Sequence, residues 1–226
     1  MDDSALAERI ADGMTQLGIA ASALLVRRFV DYLRLIERWN ATYNLTAIRK
    51  PEEMVTHHLL DCLAAATALI RERGQGLGER LLDVGTGAGL PGLVIAALCP
   101  ERQVVCLDSI GKKIAFVTQA AALLGLKNVS AVQGRVESIN LPACGAIVSR
   151  AFASLSDFVR GSERLLRQDG VWLAMKAKVS DEELRGLHGV SFHVERLQVP
   201  NLNAERCLVW ITRKVSTRIQ VGGASP

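Results

Sequence analysis

Hydrophobic positions recur at helical spacing in the first third of the chain and gather into short continuous runs in the remainder. Leu25, Phe29, Tyr32, Ile36 and Trp39 follow one another at steps of three or four, opposite Arg27, Arg28, Arg34 and Arg38, which predicts an amphipathic helix. A further helix begins at Pro51-Glu52-Glu53, where proline and acids suit a first turn, and buries Val55, Leu59, Leu63, Ala66 and Ile70. Residues 4 to about 75 read as wholly helical, with Arg71 to Glu79, rich in glycine, as the linker that ends them. From Arg80 onward apolar runs alternate with helical periods. Strands are expected at about 80–84, 103–108, 129–133, 145–149, 170–176, 191–199 and 206–213, and helices near 91–98, 111–124, 154–167 and 180–187. This alternation predicts an α/β fold, a parallel sheet covered on both faces. The expected organisation is a helical extension over 1–75, a sheet domain over 76–214, and a tail over 215–226 whose last residues, Val221 to Pro226, suit disorder.

Composition narrows the classes. With 226 residues and 49% hydrophobic content, the chain can bury a sizeable core as one domain with an added subdomain. No run approaches eighteen apolar residues, and Met1-Asp2-Asp3 lacks a basic leader, so a cytoplasmic protein is expected. Cys62, Cys99, Cys106, Cys144 and Cys207 are odd in number, far apart and without metal spacing, which reads as reduced core residues. A net charge of +4 permits a nucleic-acid partner without demonstrating one.

The densest signal lies between the first sheet strand and its helix, in Asp83-Val84-Gly85-Thr86-Gly87-Ala88-Gly89-Leu90-Pro91-Gly92. Without Cβ atoms at Gly85, Gly87 and Gly89, backbone amides can approach a ligand at the start of a helix. Residues 87–92 formally satisfy the dinucleotide pattern GxGxxG, but counted from Gly85, the first glycine after the strand, the sixth position is Leu90 and the pattern fails. What remains, DxGxGxG, resembles the S-adenosylmethionine loop of class I methyltransferases. The next strand ends in Asp108, 19 residues after Gly89, where an acid accepts hydrogen bonds from ribose hydroxyls. A turn without a ligand would carry three glycines at a loss of stability and no return.

Ligands of such sheets bind beyond the carboxyl ends of the strands. Gln133-Gly134-Arg135-Val136-Glu137 follows the third strand and Ser149-Arg150-Ala151-Phe152 the fourth, so they are expected to flank the adenine and the methyl group. Arg135, Arg150, Lys112 and Lys176 can form a basic rim suited to a phosphate backbone, although a solvated arginine is the plainer reading of any one of them. The fourth strand is not followed by the Asn/Asp-Pro-Pro-aromatic motif of exocyclic-amine methyltransferases, and Pro142-Ala143-Cys144 has the wrong spacing for a cytosine-C5 nucleophile. An acceptor nitrogen that carries no proton, such as guanine N7, needs neither base nor nucleophile.

Trp39-Asn40 with Asn44-Leu45-Thr46, His58 with Leu60-Asp61, the loop from Asp83 to Gly92, Leu107-Asp108-Ser109 with Lys112-Lys113, Ser149 to Phe152 and Glu205-Arg206 stand in a characteristic order and spacing. Over residues 22 to 213 the chain resembles the RsmG (glucose-inhibited division protein B) family. The resemblance implies a class I methyltransferase fold with an N-terminal helical extension, and methylation of a guanine N7 in the decoding-region loop of bacterial 16S rRNA. It implies cofactor contact through Asp83, Gly85, Gly87, Gly89, Leu90 and Asp108, with Val136 and Glu137 beside the adenine and Arg150 at the cofactor edge facing the RNA. By the same carry-over Lys112, Arg135, Lys176 and Arg206 are candidates for RNA contact. Cys62 stands where many relatives carry serine, which leaves the site reading unchanged. The implied cofactor is S-adenosylmethionine, with S-adenosylhomocysteine as product, and the partner is 16S rRNA or the small subunit. No metal or membrane is expected, and the protein is expected to act as a monomer.

Asn40 and Asn44 are expected to cap or turn the chain, and His57 or His58 to pair with Asp61 in a supporting bond. The expected chemistry is in-line attack of N7 on the sulfonium methyl, with no general base and with Arg150 positioning the RNA through O6 or phosphate. Two other readings stay open: a methyltransferase of small molecules, and a non-catalytic RNA-binding protein that kept the fold.

Overall fold

The computed structural model of the chain describes residues 1–72, 78–150, 152 and 154–214. The extension opens with α1 (Asp3–Gln16), capped by Asp2, whose carboxylate accepts the Ala5 amide. Ser22 caps α2 (Ala23–Tyr43) in the same way, and Asn44 ends it in the left-handed conformation, φ 49°. The wholly helical reading of this region gives way at residues 44–50, the break between α2 and the helix expected to begin at Pro51. The αL residue turns the chain out, and Lys50, preceding a proline, is extended. Pro51 then starts α3 (Pro51–Met54), which runs through a π-helical stretch, Val55–Leu60, into α4 (Asp61–Arg71). Of the five residues expected on the buried side of this helix, four are buried and Ile70 is half-buried.

The strands are β1 (Arg80–Val84), β2 (Gln103–Asp108), β3 (Val129–Gln133), β4 (Cys144–Ser149), β5 (Leu166–Lys176), β6 (Val190–Arg196) and β7 (Cys207–Arg213). Between them stand α5 (Gly92–Leu98), α6 (Gly111–Leu123), α7 (Leu155–Ser162) followed by a 3-10 turn, and α8 (Asp181–Arg185). They form one sheet in the order β3-β2-β1-β4-β5-β7-β6. The first five strands are parallel, and β7 runs antiparallel to both β5 and β6. The order reverses between β1 and β4, each reached by its own crossover, and the crevice above that switch is where this architecture places a ligand.

Successive residues of β1 serve opposite faces: Leu81 joins one core cluster, Leu82 and Val84 the other. The first cluster is continuous from Leu6 and Ile10 through Phe29 and Leu63 to Val94, Phe116 and Leu173. The extension therefore shares a core with α5, α6 and the sheet. The expected boundary at 75/76 and the expected tail at 215–226 lie outside the described residues.

Gly13 shows how closely the extension packs on itself, since a Cβ there would stand 2.5 Å from Leu60 Cδ2. Gly13→Ala should destabilise the protein by about 1–3 kcal/mol through overpacking. Urea denaturation checks it, and an unchanged midpoint would contradict this packing.

Candidate functional site

Asp83, one residue before the end of β1, lies on the face of Leu81, toward α5, and is fully buried. Its Oδ2 accepts the Thr86 hydroxyl at 2.5 Å and the Gly92 amide at 2.8 Å, while Oδ1 has no partner. Burial is the main influence on this carboxyl and pushes its pKa up to about 6, against the lowering effect of Thr86 and Gly92. Asp83 is one of the residues expected to contact the cofactor. Its geometry instead makes it the internal brace of the glycine loop, with no atom exposed to a ligand. Thr86, which is not among those residues, is the other half of the brace.

The loop itself winds through three left-handed glycines, Gly85 (φ 70°), Gly87 (φ 58°) and Gly89 (φ 83°). Six of its amides have acceptors within the protein. Those of Gly85 and Thr86 donate to Leu107 O, those of Gly89 and Leu90 to Thr86 O, Gly87 to Asp108 and Gly92 to Asp83. The expectation that these amides point at a ligand is corrected accordingly: close approach here comes from missing side chains. Leu90 is buried, and α5 begins at Gly92, one residue after the expected Pro91. Gly92 allows that helix to close on the sheet, because a Cβ would meet Cys106 Sγ at 2.6 Å and Asp83 Oδ2 at 2.8 Å.

Asp108 ends β2 beside the loop. Its Oδ2 accepts the Gly87 amide at 3.0 Å and faces Lys113 Nζ at 3.4 Å, and its Oδ1 accepts the Ile110 amide at 3.0 Å. Lys113 is thus the lysine that meets Asp108. Lys112 points elsewhere, donating to the Tyr43 carbonyl from an exposed position. After β3, Arg135 and Glu137 are exposed and Val136 is buried, with Arg164 donating to the carbonyls of Val136, Glu137 and Ile139.

The extension reaches this site in two places. From α2 the Tyr32 hydroxyl, fully buried, donates to the Ala88 carbonyl at 2.6 Å and so pins the middle of the glycine loop. A buried hydrogen bond of this kind is worth about 0.5–1.5 kcal/mol. Tyr32→Phe should accordingly weaken S-adenosylmethionine binding about threefold to tenfold, measured by calorimetry, with an unchanged affinity arguing that the loop holds itself.

The second contact surrounds Arg150. Its Nη1 donates to the His57 carbonyl at 3.1 Å, stands 3.5 Å from Asp61 Oδ2 and lies 4.0 Å from Cys62 Sγ. The other oxygen of Asp61 lies 3.2 Å from Arg206 Nε. A cavity of about 330 Å³ opens here, lined by Ile48, His57, His58, Asp61, Arg150, Met175, Lys176, Ala177, Leu197, Arg206 and Cys207. Asp61 joins the arginines, and its expected bond to His57 or His58 is not what the structure forms. His58 Nε2 meets Thr46 Oγ1 at 2.7 Å, and its Nδ1 is buried without a partner. Burial, reinforced by Arg150, lowers the His58 pKa to about 4, so the ring is neutral near pH 7. Asn40 shapes the neighbouring turn, accepting the Thr46 amide and donating to the Ile48 carbonyl, in keeping with its expected structural part.

Of the four residues expected to touch RNA, Lys176 and Arg206 thus meet Arg150 at one cavity. Lys176 is half-buried and paired with Glu183 at 2.6 Å, which also accepts the Leu155 amide. Lys112 and Arg135 sit above β2 and β3, on the other side of the switch in strand order.

Comparison with known proteins decides the family. A sequence model described as GidB, rRNA small subunit methyltransferase G, matches residues 25–209. The chain belongs to this family. It is 47% identical over 220 residues to the ribosomal RNA small subunit methyltransferase G of Acidovorax ebreus (strain TPSY), covering 93% of this chain and 97% of that one. It is 51% identical over 207 residues to the protein of the same name from Polaromonas sp. (strain JS666 / ATCC BAA-500), covering 89% and 91%. Among solved structures, an O-methyltransferase from Bacillus cereus in complex with SAH aligns over 81% of this chain and 91% of that one, with a TM-score of 0.53 at 16% identity. As a member of the rRNA small subunit methyltransferase G family, the chain has the class I S-adenosylmethionine-dependent methyltransferase fold. Among the described residues no helix is long and apolar enough to cross a membrane.

Proposed function

We propose that this rRNA methyltransferase acts on N7 of a guanine in the decoding-region loop of 16S rRNA, in the cytoplasm, with Arg150 at the centre of the acceptor side. The observation that carries the reading is the Arg150 environment. The fixed group after β4 is a guanidinium held by the His57 carbonyl and Asp61, and the imidazole beside it is neutral. N7 attacks through its own lone pair, so the site needs no proton acceptor, and the His58 ring, neutral near pH 7, does not compete for that lone pair.

The residues present fit the donor. A Cβ at Gly87 would meet nothing nearer than Gly85 O at 3.9 Å, so one side of the loop is open, and Asp108 lies beside it. Gly85, Gly87 and Gly89 would let the cofactor approach the backbone, Asp108 would hold the ribose hydroxyls, and Val136 and Glu137 would flank the adenine. When bound, S-adenosylmethionine supplies an electrophilic methyl on a sulfonium. Arg150 then orients the purine through O6 or its phosphate, since a donor aimed at N7 would occupy the nucleophile. Arg206 and Lys176 continue that positive side, and Lys112 and Arg135 extend it across the top of β2 and β3. Incubation with labelled cofactor and unmethylated 16S rRNA or small subunits, followed by mapping of the modified nucleotide, tests this reading. Label at any position other than a guanine N7 overturns it.

A further inference from the structure

Resting on the reading that Arg150 borders the acceptor, we propose that Asp61 is a positioning residue: one buried carboxylate of the extension that sets both Arg150 and Arg206. Asp61 is 4% exposed, and its two oxygens divide between the two guanidiniums, at 3.5 Å from Arg150 Nη1 and 3.2 Å from Arg206 Nε. These arginines come from distant parts of the chain, one after β4 and the other before β7. Asp61 belongs to neither segment, so a single side chain stands between them and pairs with both.

The backbone supports this arrangement. In an α-helix the Asp61 amide would bond the His57 carbonyl, four residues back. In the π-helical stretch it bonds Thr56 O and His58 O, and the His57 carbonyl accepts Arg150 Nη1 instead. The irregular register therefore provides the second acceptor that Arg150 uses, next to the carboxylate. Such single-turn insertions often mark working sites, and here the freed carbonyl has an identified partner. Two guanidiniums against one carboxylate leave the cluster with excess positive charge for an anionic strand. Arg150 and Arg206 retain 28% and 19% side-chain exposure, enough to reach a ligand while held from behind. Holding them before the RNA arrives removes the ordering that flexible arginines would undergo on binding.

The test compares wild type with Asp61→Asn, Arg206→Ala, the double variant and Arg150→Ala, on unmethylated small subunits at saturating cofactor. Asp61→Asn is nearly isosteric and keeps one acceptor, so it is expected to fold; S-adenosylmethionine affinity by calorimetry confirms an intact domain. The expected result is a loss of more than threefold in kcat/KM for the RNA with cofactor Kd unchanged. A non-additive cycle is expected as well, in which Asp61→Asn costs less in the Arg206→Ala background than in wild type and the part that remains is the share acting through Arg150. A loss of threefold or less, effects that multiply, or a parallel loss of cofactor affinity would overturn the proposal. Near-normal activity of Arg150→Ala would instead overturn the reading of the acceptor side, so the two failures are distinguishable.

Discussion

Replacing Arg150 by alanine will lower the turnover of rRNA methylation about a hundredfold to a thousandfold and leave the fold intact. Orientation sets that scale: displacing a reacting group by about 1 Å can cost about a hundredfold, and truncation removes the positioning contact altogether. Here the sulfonium charge disappears and a cationic purine forms, so the fixed guanidinium serves by orientation and not by pulling on N7. The fold survives because Arg150 leaves no isolated charge behind: Asp61 still faces Arg206 at 3.2 Å, and the His57 carbonyl borders a cavity that admits water. Arg150→Lys keeps the charge but not the planar guanidinium whose Nη1 meets both the His57 carbonyl and Asp61, and should fall between alanine and wild type. Single-turnover assays read the chemical step directly, while cofactor affinity should change severalfold at most. Activity within a factor of a few of wild type would sink the assignment.

The central parallel strands were legible because burial on both faces writes them as nearly continuous apolar runs, and β1 and β2 fall where those runs put them. The start of β5 was not. Arg167, Gln168 and Asp169 are exposed strand residues and look like a turn, so the strand begins at Leu166 and not at 170. Nor does periodicity distinguish parallel from antiparallel pairing, so the expected seven-stranded, mostly parallel sheet did not say that β7 is the reversed strand. The π-helical stretch is silent for a related reason: Val55, Leu59 and Leu63 are spaced at four, which suits either register of a helix. For Asp83 a signal was present. Alternation along β1 sets it on the face of Leu81, toward α5, where Gly92 leaves room for a carboxylate. The partners of Asp61 had no such signal, since β4 and β7 bring Arg150 and Arg206 to it only after the sheet has formed.

That same packing joins the extension to the glycine loop and to Arg150. Tyr32 holds the glycine loop from α2, and Asp61 and the His57 carbonyl hold Arg150 from the segment that begins at Pro51. The glycine loop and Arg150 are therefore braced by one helical layer, and a change in that layer can reach both.

Asp83 should reveal the opposing demands of stability and function in a pH titration. Its carboxyl has a pKa of about 6 in the folded protein against an ordinary 3.8, so between those values the folded state holds a proton that the unfolded state has released. Stability from this group then falls as pH rises through that window, by about 3 kcal/mol in all. Asp83→Asn cannot titrate and should lack this slope. Urea denaturation at pH 4 and pH 8 should show wild type losing stability relative to the variant by about that amount, and parallel pH profiles would contradict the assignment. Function should run the other way for Asp83→Ala. Asparagine retains an oxygen that can accept from Thr86 and Gly92, whereas alanine leaves a buried hydroxyl and a buried amide without their acceptor, at about 1–3 kcal/mol each. Because both donors belong to the loop and its helix, the loss should appear as weaker S-adenosylmethionine binding, about thirtyfold or more by calorimetry, even though the alanine variant also sheds the buried charge. A charge kept at a stability cost, at a position no ligand can touch, makes sense as the acceptor that holds three left-handed glycines in one conformation.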